Sequence, residues 1–328
     1  MTSHRIKPSV TLFFLAVLCA SLTPGCKHKS PQNAARPVVL MLDWKPEPEF
    51  GGFYQAKLGG EFSRRGVNID IQNASGDAME PWKQVDRGKA DFATTSADLL
   101  VDARAHKADV VALFAVYQTS PQGIMVHKAR GFKTIGDVFT HPGTLGAEAD
   151  NAWVKFLLAK FPNPAVTITA DPPGIGVFMA KPNYSQQCFI TSEPLEVKRQ
   201  GGDPQTFLAA DAGFNPYVTV LITSGKTLRE KPELVKKVVI ACREGWRAYL
   251  DNPSAANKEM GSLNHEMDAR TFAECAELQK QFIETGDTRK NGVGTMTAER
   301  WKTLIQQLAD LKVIHNTMAA EECFVNVK

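Results

Sequence analysis

The chain repeats one pattern, in which a short apolar run is followed by a polar loop and then by a segment with helical spacing. Val38–Leu42 is an unbroken apolar run, and residues 110–116 form another. Runs of this length suit strands that are buried on both faces of a parallel sheet. The order β-α-β-α-β-α-β is therefore predicted from residue 38 to residue 116, which favours a mostly parallel sheet covered by helices.

A second unit of the same kind follows. Strands are predicted at residues 123–127, 166–169, 188–190, 206–208 and 217–222, with a helix over residues 151–161. In the first unit, one helix is predicted over residues 52–64 and ended by Gly66. Two apolar stripes at helical spacing, one from Val235 to Leu250 and one from Trp301 to Leu311, are predicted to be core.

The N-terminus is typical of an exported protein. Arg5 and Lys7 precede a charge-free, mostly apolar run over residues 10–22, which is shorter than the roughly 20 residues that span a bilayer. Residues 1–25 are therefore predicted to be a signal peptide. Cys26 follows Gly25 and is the candidate for lipid attachment, although Thr23 and Pro24 depart from the usual lipobox. Ordinary secretion is the alternative, and residues 26–37 are predicted to be a tether.

Charge and cysteine content exclude several classes. Removal of Arg5 and Lys7 with the signal lowers the formal net charge from +3 to +1, so no strong field remains to attract nucleic acid. The length suffices for two modest domains. The sequence contains no C-x-x-C pair, so the spacing of zinc ligands is absent. Spacing alone does not decide whether the four cysteines after Cys26 are free or paired. They are Cys188, Cys242, Cys275 and Cys323.

Enzyme motifs are incomplete in this sequence. Gly225-Lys226-Thr227 lacks the glycine that a phosphate-binding loop places five residues earlier, and no H-E-x-x-H or G-x-S-x-G occurs. Glu47 and Glu49 form a pair of carboxylates, which leaves open both acid–base chemistry and a merely solvated loop.

The loop after the first strand concentrates polar and aromatic residues. It runs from Asp43 to Tyr54 and contains Trp44, Phe50 and paired glycines. Open parallel sheets bind ligands at the carboxyl ends of their strands, so this loop is predicted to contact a ligand. Its aromatic rings could stack on a flat molecule, or they could simply pack against the protein.

Several motifs, in order along the chain, carry a family resemblance. Leu42-Asp43-Trp44-x-Pro46 with Gly52-x-Tyr54-x-Ala56 resembles the opening signature of the thiamine-pyrimidine-precursor-binding proteins, within the nitrate, sulfonate and taurine class of ABC-importer solute-binding proteins. Further segments that resemble motifs of this family begin at Gly66, Gly88, Gln187 and Met296.

The resemblance implies a two-lobed periplasmic-binding type II fold, with a mostly parallel sheet flanked by helices in each lobe. Lobe 1 is expected to comprise residues 38–121 and 218–328, and lobe 2 residues 122–217. The chain is expected to cross between them near residues 120–123 and 215–217. The ligand would lie at the hinge.

The resemblance also implies ligand contacts from Trp44, Tyr54 and Glu193. The full set of candidate ligand-binding residues follows: Asp43, Trp44, Glu49, Tyr54, Gly76, Asp77, Ser96, Tyr117, Glu193, Asn215, Tyr217. Pyrimidine binders often carry Asn and then His in the first loop, where this chain has Glu47 and Phe50. The fungal branch of the family synthesises the pyrimidine with a His and a cysteine-rich run, and the matching places here hold Asp98 and residues 214–218. That chemistry is not expected.

The sequence therefore predicts a monomeric, exported lipoprotein that binds a small flat polar molecule and delivers it to ABC-transporter permease subunits. It predicts no catalysis, cofactor, metal or nucleic-acid partner. A binding protein for a sulfonate, nitrate or similar anion is the nearest alternative, with contacts from Ser75, Gly76, Thr95 and Ser96. An exported enzyme with a carboxylate pair is the alternative from another class.

Replacement of Cys26 tests the predicted anchor. Cys26→Ala is expected to move the protein from the membrane fraction to the soluble fraction, because a lipid on this residue would be the only attachment. Fractionation followed by immunoblotting measures the change, with Cys188→Ala as the control. Intact variant that stays with the membrane would contradict the prediction.

Overall fold

A computed structural model describes residues 36–73 and 81–328. The predicted signal peptide, Cys26 and almost all of the predicted tether lie outside the described residues. So do two of the candidate ligand-binding residues, Gly76 and Asp77.

The described part of the chain alternates strands with helices, as the sequence pattern predicts. The strands are β1 (Val38–Leu42), β2 (Ile69–Asn73), β3 (Phe92–Thr95), β4 (Val110–Tyr117), β5 (Gln122–His127), β6 (Gly143–Gly146), β7 (Val166–Thr169), β8 (Tyr184–Phe189), β9 (Pro204–Leu208) and β10 (Val218–Ser224). The helices up to the last strand are α1 (Gly51–Leu58), α2 (Glu61–Arg64), α3 (Pro81–Asp86), α4 (Ala97–Ala105), α5 (Ile135–Thr140), α6 (Ala152–Lys160), α7 (Gly176–Ala180) and α8 (Glu193–Arg199). The C-terminal helices are α9 (Gly225–Glu230), α10 (Pro232–Asp251), α11 (Ser254–Leu263), α12 (Ala269–Leu278), α13 (Lys280–Ile283), α14 (Gly286–Asn291), α15 (Ala298–Asp310) and α16 (Ala320–Cys323).

The strands form two sheets of the same design. The first has the order β2-β1-β3-β10-β4, and the second has the order β7-β6-β8-β5-β9. In each sheet the fourth strand in this order is antiparallel to both neighbours, while the other strands share one direction. We call the parts built on the first and second sheets lobe 1 and lobe 2.

The chain crosses between the sheets twice. It leaves lobe 1 after β4 and enters β5, and it leaves lobe 2 after β9 and returns in β10. Each crossing thus leads into the antiparallel strand of the sheet it enters. The backbone N–H of Ser120 in the first crossing donates to Asn215 Oδ1 in the second, over 2.8 Å, so the two segments are joined side by side.

Strand β4 accounts for the unbroken apolar run over residues 110–116, whereas only Leu40 and Leu42 of β1 are buried. Every residue of β3, β4 and β10 is buried, because helices cover both faces of the sheet. Edge strand β2 is only partly buried. The apolar stripes of α10 and α15 are also buried, including Trp246 and Trp301, as predicted.

One predicted helix is interrupted. Instead of one helix over residues 52–64, the structure has α1 and α2, because Gly59 ends α1 and Gly60 adopts a left-handed φ of 75° before α2 begins. This conformation is accessible to glycine at little cost, and the Gly-Gly pair therefore makes a break that helical spacing alone does not reveal.

The four cysteines in the described part of the chain are free and buried. They are Cys188, Cys242, Cys275 and Cys323. Among residues 36–73 and 81–328, no helix combines the length and the apolar character that a membrane span requires.

Helix α1 follows the first loop and packs closely against α10. A Cβ added at Gly245 of α10 would lie 2.3 Å from the carbonyl oxygen of Gly52 and 2.4 Å from Ala56 Cβ. The ring of Trp246 covers Gly52 and meets Phe53 edge-on at 5.8 Å. This backbone-to-backbone contact holds the start of α1, and hence the end of the preceding loop, in place.

A methyl group at this contact is expected to destabilise the protein. Gly245→Ala should lower the free energy of unfolding by about 1–3 kcal/mol, since the added Cβ meets backbone atoms that cannot move without shifting a helix. Denaturant unfolding measures the change. Gly261→Ala is the matched control, because its added Cβ would meet only the ring of Phe272 at 3.6 Å. Equal stability of the two variants would contradict this account of the contact.

Candidate functional site

A cleft of about 960 Å³ lies between the two lobes. Lobe 1 contributes the loop after β1, the start of β10 and the segment between α11 and α12, while lobe 2 contributes residues after β6 and β7, strand β8 and helix α8. The crossing segments lie beside it. The cleft is large enough for a drug-sized molecule, for which pockets of about 300–1,000 Å³ are usual.

Asp43 begins the lobe 1 wall and is held by β3. Its backbone N–H donates to Thr94 Oγ1 over 2.9 Å, and the Thr94 hydroxyl donates in turn to Asp43 Oδ1. Burial raises the pKa of Asp43, and the hydrogen bond from Thr94 opposes that rise. Strand β3 thus orients this carboxyl group at the end of β1.

Trp44 is a surface residue of the cleft. Its side chain is 56% exposed and lines the cavity, and Lys45 Nζ lies 5.6 Å from the centre of its ring. A ring in this position can stack on a flat ligand at little cost to the fold. The alternative, that Trp44 is half-buried packing, does not fit this exposure.

Glu47 is buried rather than solvated. It is 7% exposed, and Asn264 Nδ2 donates to its Oε1 over 3.5 Å and to the carbonyl of Pro46 over 3.1 Å. Burial raises the pKa of Glu47 to about 7, and the positive charge of Lys45 opposes the rise. Lys45 is itself ion-paired with Glu266.

Glu49 lies deeper, at the base of the same loop. Burial raises the pKa of Glu49 well above its usual value, and the charges of Glu47, Asp43 and Glu193 raise it further. Nearby, the Tyr117 hydroxyl donates to Gln279 Oε1 over 2.7 Å, and Gln279 Nε2 donates to the carbonyl of Pro48 over 2.9 Å. This chain of hydrogen bonds ties the loop to β4 and to the C-terminal helices.

Glu193 brings a carboxyl group from the opposite lobe. It is the first residue of α8, and its Oε2 accepts a hydrogen bond from the backbone N–H of Phe189 over 2.9 Å. Burial raises the pKa of Glu193 to about 7, and the charges of Glu47 and Asp171 add to the rise. Acidic groups of the two lobes therefore face one another across the cleft.

The lining is strongly acidic, and its cations are already paired. Arg199 of α8 forms ion pairs across the lobes with Glu274 at 2.8 Å and Asp268 at 3.4 Å, and Lys45 pairs with Glu266. No other cationic side chain lines the cleft among the described residues. Its acidic lining residues are Asp43, Glu47, Glu49, Glu148, Asp171, Glu193, Glu196, Glu266 and Asp268. Such a lining can accept hydrogen bonds from a ligand and attracts positive charge.

No group of three or more His, Cys, Asp or Glu side chains in the described ranges has a geometry that could hold a metal ion.

The structure places four of the candidate ligand-binding residues on the cleft lining. They are Asp43, Trp44, Glu49 and Glu193.

The other described candidates lie elsewhere. Tyr54 is packed in the core of lobe 1 at 4% exposure, Ser96 precedes α4 as its N-cap, and Tyr117 lies beneath the loop. Asn215 and Tyr217 belong to the second crossing, where the backbone N–H of Thr297 donates to the Tyr217 hydroxyl over 3.0 Å.

Sequence reasoning missed the lobe 2 wall. Asp171, Pro172, Pro173 and Gly174 line the cleft just after β7, and Gln186 lines it from β8. The signal was present, since a polar residue followed by prolines and a glycine after a strand is the pattern that singled out the first loop.

Thr219, at the start of β10, also lines the cleft and has a left-handed φ of 50°. Such a backbone is uncommon for a β-branched residue and is found disproportionately at functional sites. It lies where the second crossing enters lobe 1.

Comparison with solved structures identifies the fold class. The periplasmic aliphatic sulphonate binding protein SsuA from Escherichia coli aligns with a TM-score of 0.67 at 13% identity, covering 89% of this chain and 94% of that one. SsuA from Xanthomonas axonopodis pv. citri, bound to MOPS, aligns with a TM-score of 0.64 at 12% identity, covering 89% and 100%. The chain therefore has the two-lobed periplasmic-binding-protein fold, as predicted. The desulfurization enzyme DSZB shares this fold, with a TM-score of 0.61 at 14% identity over 89% of this chain and 97% of that one.

Sequence comparison then gives the family. The chain belongs to the NMT1/THI5-like family, which it matches over residues 47–256, more than half of its length. Two relatives are a riboflavin-binding protein, RibY, from Chloroflexus aurantiacus (22% identical, over 75% of this chain and 74% of that protein) and a formylaminopyrimidine-binding protein from Halalkalibacterium halodurans (21% identical, over 91% and 92%). The predicted family resemblance is thus confirmed.

The raised pKa values have a consequence for stability. Folding raises the pKa of Glu193 from 4.5 to about 7, so between these values the folded protein holds a proton that the unfolded chain releases. This contribution is present at low pH and is lost as the pH rises through about 7. The melting temperature of the ligand-free protein is therefore expected to fall between about pH 5 and about pH 8, by the equivalent of roughly 2–3 kcal/mol for this group.

Glu193→Gln should flatten the pH dependence, because the amide does not titrate. Thermal melting at a series of pH values measures it, with Glu230→Gln, an exposed residue outside the cleft, as the matched control. Parallel pH curves for the wild type and Glu193→Gln would show that this carboxyl group titrates normally.

Proposed function

We propose that this chain is the exported solute-binding protein of an ABC importer, anchored to a membrane by a lipid on Cys26. The observation that carries the proposal is the cleft, whose walls come from both lobes and which is sized for one small molecule. Residues 38–121 with 218–328, and residues 122–217, would close on the ligand as two bodies. Membership of the NMT1/THI5-like family and the names of the relatives support a binding role.

The ligand is a small flat molecule that donates hydrogen bonds. Exposed Trp44 offers a face for a ring, and buried Glu49 and half-buried Asp43 and Glu193 offer acceptors from both lobes. Burial raises the pKa of these carboxyl groups more than their donors within the protein lower it, and a ligand N–H can provide a further donor. An aminopyrimidine of the thiamine-precursor type has this chemistry, and one relative of this chain is named a formylaminopyrimidine-binding protein. The other relative is named a riboflavin-binding protein, and riboflavin also has a flat ring system.

An anion is the second candidate, because structural neighbours bind sulfonates. The cleft chemistry disfavours it, since both lining cations are ion-paired and the other charged lining residues are acidic. Catalysis is the candidate from another class, since DSZB has the same fold. Turnover of any bound molecule by the purified protein would favour an enzyme over a transport protein.

A panel of ligands tests the proposal. Formylaminopyrimidine, riboflavin and an alkanesulfonate are titrated into the purified protein by calorimetry. At least one of the two flat molecules is expected to bind, and the sulfonate is not. Tight binding of the sulfonate alone would overturn the assignment of ligand chemistry, and native mass spectrometry of freshly purified protein provides an independent view of what it carries.

Trp44→Ala should weaken binding of the flat ligand without affecting the fold. Loss of the stacking ring is expected to cost on the order of 1 kcal/mol, about a fivefold loss of affinity. Glu193→Gln should cost about 1.5–3 kcal/mol, because hydrogen bonds to a carboxylate are charge-assisted. Calorimetry gives the affinities.

Thermal melting of the same Trp44→Ala protein separates binding from stability. Because the residue is 56% exposed, its melting temperature should stay close to that of the wild type. Leu263→Ala, at a residue that is 55% exposed and outside the cleft lining, is the control. Unchanged affinity with a large fall in melting temperature would assign Trp44 to the core instead.

A further inference from the structure

The lobe 2 side of the cleft holds three polar atoms that lack any hydrogen-bond partner. They are Asp171 Oδ1, Gln186 Oε1 and the hydroxyl of Tyr184. Gln186 is 3% exposed and Tyr184 is 3% exposed, and both Asp171 and Gln186 line the cavity. Buried polar groups in folded proteins are nearly always hydrogen-bonded, and each one left without a partner costs about 1–3 kcal/mol. The two that line the cavity, Asp171 Oδ1 and Gln186 Oε1, therefore call for an external partner, and the Tyr184 hydroxyl lies behind them.

The three groups converge because their strands are neighbours. Gly146, at the end of β6, is in register with Thr169 of β7 on one side and with Gln186 of β8 on the other. Asp171 follows Thr169 by two residues. Tyr184 and Gln186 lie in the first half of β8, and the register of the three parallel strands places them beside the carboxyl ends of β6 and β7. Open α/β sheets bind ligands at such strand ends.

Gly146 makes room for this convergence. A Cβ at this position would lie 1.9 Å from the Tyr184 hydroxyl and 2.8 Å from Asp171 Oδ1, so any side chain there would displace both groups. The absence of a side chain allows the two polar groups to share the space beside the strand end.

Gln186 is held so that its oxygen stays available. Its Nε2 donates to the carbonyl of Gly174 over 2.9 Å, which leaves Oε1 as the unpaired end of the amide. Asp171 Oδ1 likewise has no hydrogen-bond partner. Burial raises the pKa of Asp171 to about 6, while the nearby amides of Gln187 and Gln186 oppose the rise.

We propose that Asp171, Gln186 and Tyr184 form a second ligand subsite, which binds a hydroxyl-bearing tail of the ligand whose flat ring lies against Trp44. The inference deepens the proposed function and rests on it. It adds lobe 2 contacts that are separate from Glu193, and it specifies a ligand with a ring and a tail rather than a single ring.

The mixture of groups favours hydroxyls over other tails. Asp171 Oδ1 and Gln186 Oε1 accept hydrogen bonds, whereas the Tyr184 hydroxyl also has a proton to donate. One ligand hydroxyl can donate to either of the first two and accept from the third, and a neighbouring hydroxyl of the same tail can donate to the remaining acceptor. An ammonium group can only donate, and a carboxylate or sulfonate would be repelled by Asp171 and by neighbouring Glu148. The cleft volume of about 960 Å³ also exceeds what one small ring fills.

A pair of probes isolates the tail. Riboflavin carries a ribityl chain with four hydroxyls, and lumiflavin has the same ring with a methyl group in place of that chain. Titration by flavin fluorescence gives the dissociation constant of each probe. The wild type is expected to bind riboflavin about tenfold or more tightly than lumiflavin, since hydrogen bonds to a charged group contribute most of the difference.

Asp171→Asn should reduce this preference several-fold, because riboflavin loses a contact of its tail whereas lumiflavin has no tail to reach the subsite. Gly146→Ala should act in the same direction by displacing Tyr184 and Asp171. Asp211→Asn makes the same chemical change at an exposed lobe 2 residue outside the cleft lining and should change neither affinity. Melting temperatures confirm that each variant is folded, and Asp171→Asn carries the test if Gly146→Ala is not.

Every outcome of this experiment decides the inference. Equal affinities of the wild type for the two flavins, or a riboflavin preference that survives in Asp171→Asn, would overturn it. Binding of formylaminopyrimidine with no binding of either flavin would also overturn it, yet would leave the proposed function standing. If none of these flat molecules binds, the ligand class in the proposed function fails as well.

Discussion

The free-energy cost of burying carboxyl groups is the constraint on which the cleft depends. Glu47 and Glu49 from lobe 1 are buried, Asp43 from lobe 1 and Glu193 from lobe 2 are half-buried, and the pKa of each is raised chiefly by burial. A fold keeps such groups only where the surrounding structure determines their positions. Here Thr94 holds Asp43, Asn264 holds Glu47, and the Phe189 backbone holds Glu193. The acceptors are thus oriented before any ligand arrives, which reduces the entropic cost of binding.

The scaffold behind the lobe 1 wall explains why these positions are precise. The loop that carries Trp44 and Glu49 lies between β1, which is paired with β2 and β3, and α1, which meets α10 with backbone contact at Gly52 and Gly245. The hydrogen bonds from Tyr117 to Gln279 and from Gln279 to the carbonyl of Pro48 tie the middle of the loop to β4 and to the C-terminal helices. A loop fixed at both ends and at its centre can present an exposed ring such as Trp44 without losing its conformation.

Much of the fold could be predicted from the sequence, because apolar runs and turn residues act locally. The strands, both long helical stripes and the cleft residues after β1 follow from such patterns. Contacts distant in sequence could not be predicted in this way. The family resemblance implies a ligand contact from Tyr54, yet α1 turns this side chain into the core. The burial of Glu47 depends on Asn264, more than 200 residues later. Asp171 carries a local signal, since prolines and a glycine follow it after a strand, but its closeness to Gln186 and Gly146 arises only across neighbouring strands.

The same electrostatics relate ligand chemistry to lobe closure. When ionised, Glu193 repels Glu47 and Glu49, so bringing the lobes together costs free energy unless protons or ligand donors intervene. The exposed ion pairs of Arg199 with Glu274 and Asp268 offset little of this cost, because solvent screens them. A ligand shifts the equilibrium only by its differential affinity for the closed arrangement. A molecule that donates to both walls has that preference, since the closed arrangement alone offers both sets of acceptors, whereas an anion would add to the repulsion.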